Sequence, residues 1–443
     1  ISGLHLGIIY YILLLLTKPL RGKNLVVLRL ILILAGLWTF SFLAGAQPSV
    51  LRSAVMFSAL AWSTVIHRRS AAYNTLALSA FLLLWYNPYW LWDVGFQLSY
   101  LAVLSILIFY RPLYAFHYFP NKGVNFLWKG IAATLAAQLL TLPVSIYHFN
   151  QFPLLFFVAN VFAVPLSSLI LIGEIVLCTL SFLHPIASVL GWLLEWLIAV
   201  MNAAVEHLNT IRFAVWKGLS VSLLQMALLY VVIAAAGCWL LEKTRMALNI
   251  ALAASLLFLS LRTLSFLAAA EQQTILVYNV PKYDAIDFIA GRNNYFLGDP
   301  VFEWNEALRN FHLQPSRTML RVTQATLLTG NTLSFGGKTV LIVDTTFRPP
   351  AQDIKPVIDL LILCRNPSIY LNRLTKTFAI RQIVISGSVP AWKAKLWQKD
   401  ADSLHIPCFD VGEKGAFAMN IHTPTFAPLR QAFKNSASVS SQQ

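Results

Sequence analysis

Apolar positions run in long blocks over the first 270 residues and alternate with polar ones in short blocks after that. A membrane helix needs about 20 mainly apolar residues, because the hydrocarbon core is ~30 Å thick and a helix rises ~1.5 Å per residue. By that measure the pattern predicts spans at 4–17, 25–46, 50–66, 71–86, 94–110, 127–148, 153–180, 186–207, 221–241 and 246–269. The segment 71–86 is short, so eight to ten helices are expected. Gly130–Gly173 holds no Asp, Glu, Lys or Arg in 44 positions, room for two spans divided by the turn Asn150-Gln151-Phe152-Pro153.

The later blocks are too short for spans and read as strands with turn chemistry between them. Strands are expected at 274–278, 285–290, 295–297, 333–335, 339–344, 359–364, 381–386 and 417–421. Helices are expected at 301–312, 369–379 and 391–404, and Gly336-Gly337 is a hairpin turn. The fold class is therefore a polytopic α-helical membrane bundle followed by a soluble α+β domain.

Composition agrees with this division. The chain is 58% hydrophobic and 12% charged, against about 25% charged in ordinary soluble domains, which excludes a soluble enzyme and a disordered chain. Four Cys in 443 residues exclude a disulfide scaffold. The net charge of +15 suits a membrane surface or a polyanion. Residues 1–271 hold 15 Lys and Arg against 6 Asp and Glu, while 272–443 hold 18 against 12. The boundary is placed near Ala270–Gln273, giving a membrane domain at 1–270, a soluble domain at 271–427 and a disordered Ser/Gln-rich tail at 428–443. The chain starts at Ile1 without Met, so a fragment is expected.

Lys and Arg in short loops set orientation. Lys18, Arg21 and Lys23, then Arg68 and Arg69, then Arg111 and Lys122 alternate with loops 87–93 and 150–153, which carry none. Loops 18–24, 67–70 and 111–125 are thus cytoplasmic. Pro165 leaves two readings of 153–180. One span places the soluble domain outside; two half-helices place it inside.

Polar groups within the spans are the candidate chemistry. Arg52 either meets a phosphate backbone as a fixed cation or snorkels at the membrane edge. Asp93 either pairs with Arg52 or caps the helix beginning at Val94, the reading favoured by its position. Gln97, Gln138 and Asn160 either line a polar conduit or bond helix to helix. His5 lies between Gly3 and Gly7, where a packed histidine competes with a pH sensor or DNA contact. Glu174 is the deepest acidic group by position; Glu195 and Glu206 follow it. Pro143 and Pro165 are candidate helix breaks around a cavity. The Trp and Tyr residues of 85–92 suit an interfacial belt, or a platform for stacked bases.

Four segments carry a resemblance. They are Ile1-Ser2-Gly3-Leu4-His5-Leu6-Gly7; Pro48-Ser49-Val50-Leu51-Arg52-Ser53-Ala54-Val55-Met56; Asn87-Pro88 with Asp93-Val94-Gly95-Phe96-Gln97-Leu98-Ser99-Tyr100-Leu101-Ala102; and Thr141-Leu142-Pro143 with Phe149 and Asn160 through Pro165-Leu166. In that order they resemble the competence domain of the ComEC family of DNA-internalisation proteins. The resemblance implies a multi-pass channel in the bacterial cytoplasmic (inner) membrane that passes single-stranded DNA during natural transformation. Family members often carry a soluble OB-like region ahead of this domain.

The family also implies a metallo-β-lactamase-like tail, and Gly337–Asp344 resembles its second hairpin. Such a site needs clustered His and Asp to hold metals and activate water. Setting that motif on Asp359–Leu374 puts Arg365, Pro367, Ile369 and Tyr370 at the ligand positions, and the tail's histidines are His312, His405 and His422. A degenerate, non-hydrolytic domain is expected, with no metal, cofactor or catalytic residue. No phosphate-loop motif occurs. A separate motor, other DNA-uptake proteins and the lipid bilayer are the implied partners, with a homo-oligomer open. A small-solute transporter and a metal-dependent nuclease are the alternatives.

Overall fold

The computed structural model describes residues 3–20, 25–65, 71–322, 325–348 and 355–422. Loop cations Arg21, Lys23, Arg68 and Arg69, and the expected tail 428–443, lie outside the described residues. The chain divides into two compact units, one of 1–219 with 226–255, the other of 220–225 with 256 onward. The last turns of the final apolar helix therefore group with the second unit, ahead of the boundary expected near 270.

The first unit is helical. Its helices are α1 (Gly3–Leu16), α2 (Val26–Leu43), α3 (Pro48–Val65), α4 (Ala72–Tyr86), α5 (Val94–Ala115), α6 (Lys122–Phe149), α7 (Phe156–Thr179) and α8 (His184–Thr210). The short strands β1 (Gln151–Pro153) and β2 (Val215–Lys217) flank the last two, and α9 (Leu223–Glu242) and α10 (Arg245–Glu271) carry the chain onward. Each expected span is occupied by a helix. Among the described residues seven are long and apolar enough to cross a membrane, fewer than the eight to ten expected; α1 and α4 are shorter apolar helices, and α3 falls in neither group. β1 pairs antiparallel with β2, so α7 and α8 form an out-and-back hairpin.

Local chemistry sets the helix ends. Asp93 Oδ1 accepts from the Phe96 N–H at 2.6 Å and starts α5, satisfying a donor that the helix itself cannot. Asn121 does the same for α6. Asn150 ends α6 in the left-handed region at φ 55, and its amide donates to Leu219 O at 3.2 Å. Pro143 and Pro165 lie inside α6 and α7 without ending either helix. The expected breaks are therefore corrected: neighbouring helices supply the contacts that tolerate a missing rung, and 153–180 holds one helix instead of two halves.

The second unit is layered. Its strands are β3 (Gln273–Val277), β4 (Ala285–Ala290), β5 (Asn293–Gly298), β6 (Ala325–Leu327), β7 (Thr332–Phe335), β8 (Lys338–Val343), β9 (Val357–Ile358), β10 (Leu360–Leu363), β11 (Ala379–Ile380), β12 (Ile383–Ile385), β13 (Cys408–Asp410) and β14 (Phe417–His422). Its helices are α11 (Val301–Trp304), α12 (Glu306–His312), α13 (Gln314–Met319), α14 (Leu371–Thr377), α15 (Ala391–Ser403) and α16 (Val411–Lys414). One sheet has the order β14-β3-β4-β5-β6 and the other β13-β12-β10-β8-β7. In the second sheet β8, β10, β12 and β13 run parallel, and β7 joins as a hairpin across Gly336 and Gly337, at φ 55 and 74.

Alternation explains the layers. Val340 and Ile342 face inward with Leu360, Ile362 and Val384, against Ile275, Val277, Ile286 and Phe288 of the first sheet. Leu341, Val343, Leu361 and Leu363 face outward and are covered by Leu371, Leu374, Ala394 and Trp397 of α14 and α15. The first sheet's outer face packs Leu276, Tyr278, Ala285 and Phe296 on Phe302 and Leu313. The expected helix 301–312 is interrupted because Asn305 Oδ1 accepts from the Leu308 N–H at 3.1 Å, starting α12 afresh.

Candidate functional site

In the helical unit the polar groups gather around Arg52. It stands in the second turn of α3 at 7% exposure. Its Nε donates to Ser99 Oγ on α5 at 2.6 Å, its Nη1 approaches Met56 Sδ at 3.4 Å, and its guanidinium lies 5.9 Å from the Tyr100 ring centre. Tyr100 in turn donates to Ser79 Oγ on α4 at 3.0 Å. No carboxylate reaches Arg52 within ion-pair distance among the described residues. A buried cation is thus held by neutral dipoles and a ring face, an arrangement that leaves its charge uncompensated.

The α1 glycines explain how α1 closes on this cluster. A Cβ at Gly3 would stand 2.6 Å from Ser53 Oγ and 3.0 Å from an Arg52 nitrogen; one at Gly7 would stand 3.2 Å from the Phe57 ring. His5, half-buried between them, shares this α1 segment. Asp93 is exposed and acts as the helix cap, not as the partner of Arg52. Gln97 donates to Leu91 O at 2.8 Å, bracing the turn before α5. Gln138 and Asn160 are half-buried on α6 and α7, and Glu174 is exposed on α7. No hydrogen bond joins these three to Arg52 among the described residues. The structure therefore groups Arg52 with Ser99 and Tyr100, which lie in the third motif segment but were given no role there, and with Ser79, which the sequence did not single out. Trp85, Tyr86, Tyr89 and Trp92 are all exposed.

Ser105 was also missed. Fully buried on α5, it accepts from the Leu140 N–H and donates to Ala136 O, so its hydroxyl enters one rung of the α6 ladder just ahead of Pro143. Tyr230 on α9 donates to the Leu140 carbonyl at 3.0 Å.

In the layered unit the polar groups meet where β8, β10 and β12 end. Asp284 is buried and accepts from Ser386 Oγ at 2.7 Å and Ser388 Oγ at 2.5 Å. Arg365 follows β10 and pairs with Asp299 and, at 3.5 Å, with Asp284. Burial pushes the Asp284 carboxyl up, and the two serines oppose that shift. Burial, then Asp284, pushes the Cys364 thiol well up. Arg365 itself adopts φ 59, and its N–H donates to Ser388 Oγ at 2.8 Å. Lys393 binds Asn366 Oδ1 and Pro367 O, and Trp397 donates to Ile369 O, so α15 pins the loop before Tyr370. Among the described residues no three His, Cys, Asp or Glu are grouped to hold a metal ion. At this corner a guanidinium bridges two carboxylates.

Residues 1–243 match the profile of the Competence protein family. The chain belongs to that family. Residues 275–421 of this ComEC-family chain also match the profile of the ComEC C-terminal domain. ComE operon protein 3 of Bacillus subtilis (strain 168) is 34% identical over 169 residues, which is 37% of this chain and 20% of that protein. No solved structure matches. The seven long apolar helices and the family together make this a multi-pass membrane protein.

Proposed function

We propose that the helical unit is a conduit carrying single-stranded DNA across the bacterial cytoplasmic membrane during natural transformation. The observation that carries this reading is Arg52, a buried cation in the second turn of α3 with no carboxylate within ion-pair distance among the described residues. An Arg at a span centre costs about 2.5–3.5 kcal/mol on insertion scales, and that figure is the upper bound for Arg52 in the second turn of α3. That cost is offset where the charge meets an anion in transit, and a passing phosphodiester is such an anion. Neutral partners serve better than carboxylates here, since a tight ion pair would hide the cation from the cargo.

The layered unit is a β-lactamase-like domain in which Arg365 takes the place of the metal ligands, so it engages DNA or a partner without cutting. Movement then depends on a separate motor.

The test is cytoplasmic entry of labelled DNA in a competent host. Deleting the gene should leave DNA bound and protected at the cell surface but end its entry. Arg52→Gln removes one charge-assisted phosphate contact of about 1.5–3 kcal/mol, so entry should fall at least tenfold while Arg52→Lys retains more. Normal entry in the deletion strain refutes the conduit. Normal entry with Arg52→Gln alone refutes the role of Arg52.

A further inference from the structure

Three arginines of the layered unit converge on one ring. Arg321, Arg292 and Arg262 stand 4.3, 5.3 and 5.4 Å from the centre of Phe266 on α10. Arg321 is 7% exposed and donates to Ser265 Oγ at 2.8 Å and Ser220 O at 3.3 Å. Arg292, exposed in the turn before β5, donates to the Arg321 carbonyl at 3.3 Å. No carboxylate lies within ion-pair distance of Arg262 or Arg321 among the described residues. Even with Glu271, at the end of α10, set against one of the three, two positive charges remain in excess. Burial, then Arg262 and Arg292, lowers the Arg321 pKa to about 10, which says the cations repel one another.

The level of this cluster follows from α10 itself. Between Arg245 and Arg262 the helix carries no charged residue. That interval spans about 25 Å at ~1.5 Å per residue, close to the ~30 Å of the hydrocarbon core. Arg262 therefore stands close to one membrane thickness from Arg245, so with Arg245 at one headgroup layer it falls at the depth of the other, short of the end at 269 that the apolar run alone suggested. Guanidiniums bind phosphate oxygens bidentately, and Phe266 supplies an apolar floor beside the acyl boundary.

We propose that Arg262, Arg292 and Arg321 around Phe266 form a site for the phosphate of an anionic phospholipid. The site takes a lipid instead of passing DNA because it lies at headgroup depth on an apolar helix, where lipid is the phosphate always present. A bound lipid would relieve the mutual repulsion of the three cations.

The full chain, purified in detergent, is equilibrated with equal phosphatidylglycerol and phosphatidylcholine, and retained lipid is counted by native mass spectrometry. Wild type should retain phosphatidylglycerol in clear preference. Each basic residue is worth about fivefold in attraction to anionic lipid, so Arg262→Gln/Arg292→Gln should reduce the preference about 25-fold. Arg292→Gln alone, a change in an exposed turn, should reduce it about fivefold. Lys395→Gln, exposed on α15, should change nothing. Equal retention of both lipids, or an unchanged preference in both arginine variants, overturns the proposal. Displacement of the retained lipid by a single-stranded oligothymidylate also overturns it, because the site would then belong to nucleic acid.

Discussion

Asp287 and Arg317 provide the sharpest stability test in the layered unit. Asp287 on β4 is fully buried, and Arg317 on α13 grips it with Nε at 2.9 Å and Nη2 at 2.8 Å. The Tyr278 hydroxyl donates to the same carboxylate at 2.7 Å, and the guanidinium lies 5.0 Å from the Phe296 ring centre. Asp287→Leu strands both a buried cation and a buried hydroxyl. Removing one partner of a buried pair costs about 3–5 kcal/mol. At roughly 2–4 °C per kcal/mol for a domain of this size, the layered unit should melt about 10 °C lower. Asp287→Leu/Arg317→Met/Tyr278→Phe removes every stranded group and should lie within about 1 kcal/mol of wild type, since apolar replacements of buried pairs are often neutral. The assay is thermal proteolysis of the full chain in detergent, scored on fragments of 273–422. A shift under ~2 °C for Asp287→Leu, or a triple variant as unstable as the single one, would refute the reasoning.

Two carboxylates of this unit should respond to pH with opposite signs. The Thr339 N–H, then Lys338 and Arg381, hold Asp359 below the usual carboxylate range. Its stabilisation is complete above the unfolded pKa of about 3.9 and is lost as pH falls through the folded value, so Asp359→Asn should flatten the acid side of a melting profile. Burial raises Asp284, so its contribution is complete below the unfolded value and is lost as pH rises through the folded one; Asp284→Asn should remove that decline. Asp93→Ala deletes the α5 cap and should cost about 1 kcal/mol, read as a lower detergent melting temperature. Cys364 is buried with its thiol pushed up, and Cys408 is raised to about 11, so maleimide at neutral pH should label neither before unfolding, as peptide mass mapping would show.

Much of the architecture was legible because period and length carry it. Ten apolar segments became ten helices, and the alternation at 339–344 became β8 with its two faces buried against different layers. The helix breaks at Pro143 and Pro165 were misread, since a proline removes one rung but neighbouring helices decide whether the helix ends. For the site, Arg52 was legible as a charge in an apolar run. Its partners Ser99, Tyr100 and Ser79 were not, because a single hydroxyl on a span looks the same whether it bonds its own carbonyl or a side chain 47 residues away. A 3.6-residue projection of α5 would have placed Ser99 one turn beyond Phe96, on the face toward α3. Gln138, Asn160 and Glu174 share with Arg52 only their polarity in an apolar setting, and polarity has no direction along the sequence.

Four arginines with defined partners separate into two kinds by what answers their charge. Arg317 has a bidentate carboxylate, and Arg365 bridges two carboxylates at the strand ends. Both charges are answered by carboxylates, so their substitution should disturb folding more than binding, strongly for the buried Arg317 pair and weakly for the exposed Arg365. Arg52 has a serine, a thioether and a ring; Arg321 has a serine, a carbonyl, a ring and two like charges nearby. Hydroxyl and carbonyl dipoles orient a guanidinium without cancelling its field. A cation kept in that state in a low-dielectric setting attracts an anion far more strongly than one at an open surface. The two classes therefore predict different signatures of one substitution. Arg→Gln at 317 or 365 should lower thermal stability with no dependence on phosphate. Arg→Gln at 52 or 321 should weaken the capture of an anion and make the remaining capture less sensitive to salt, since fewer counterions are then exchanged.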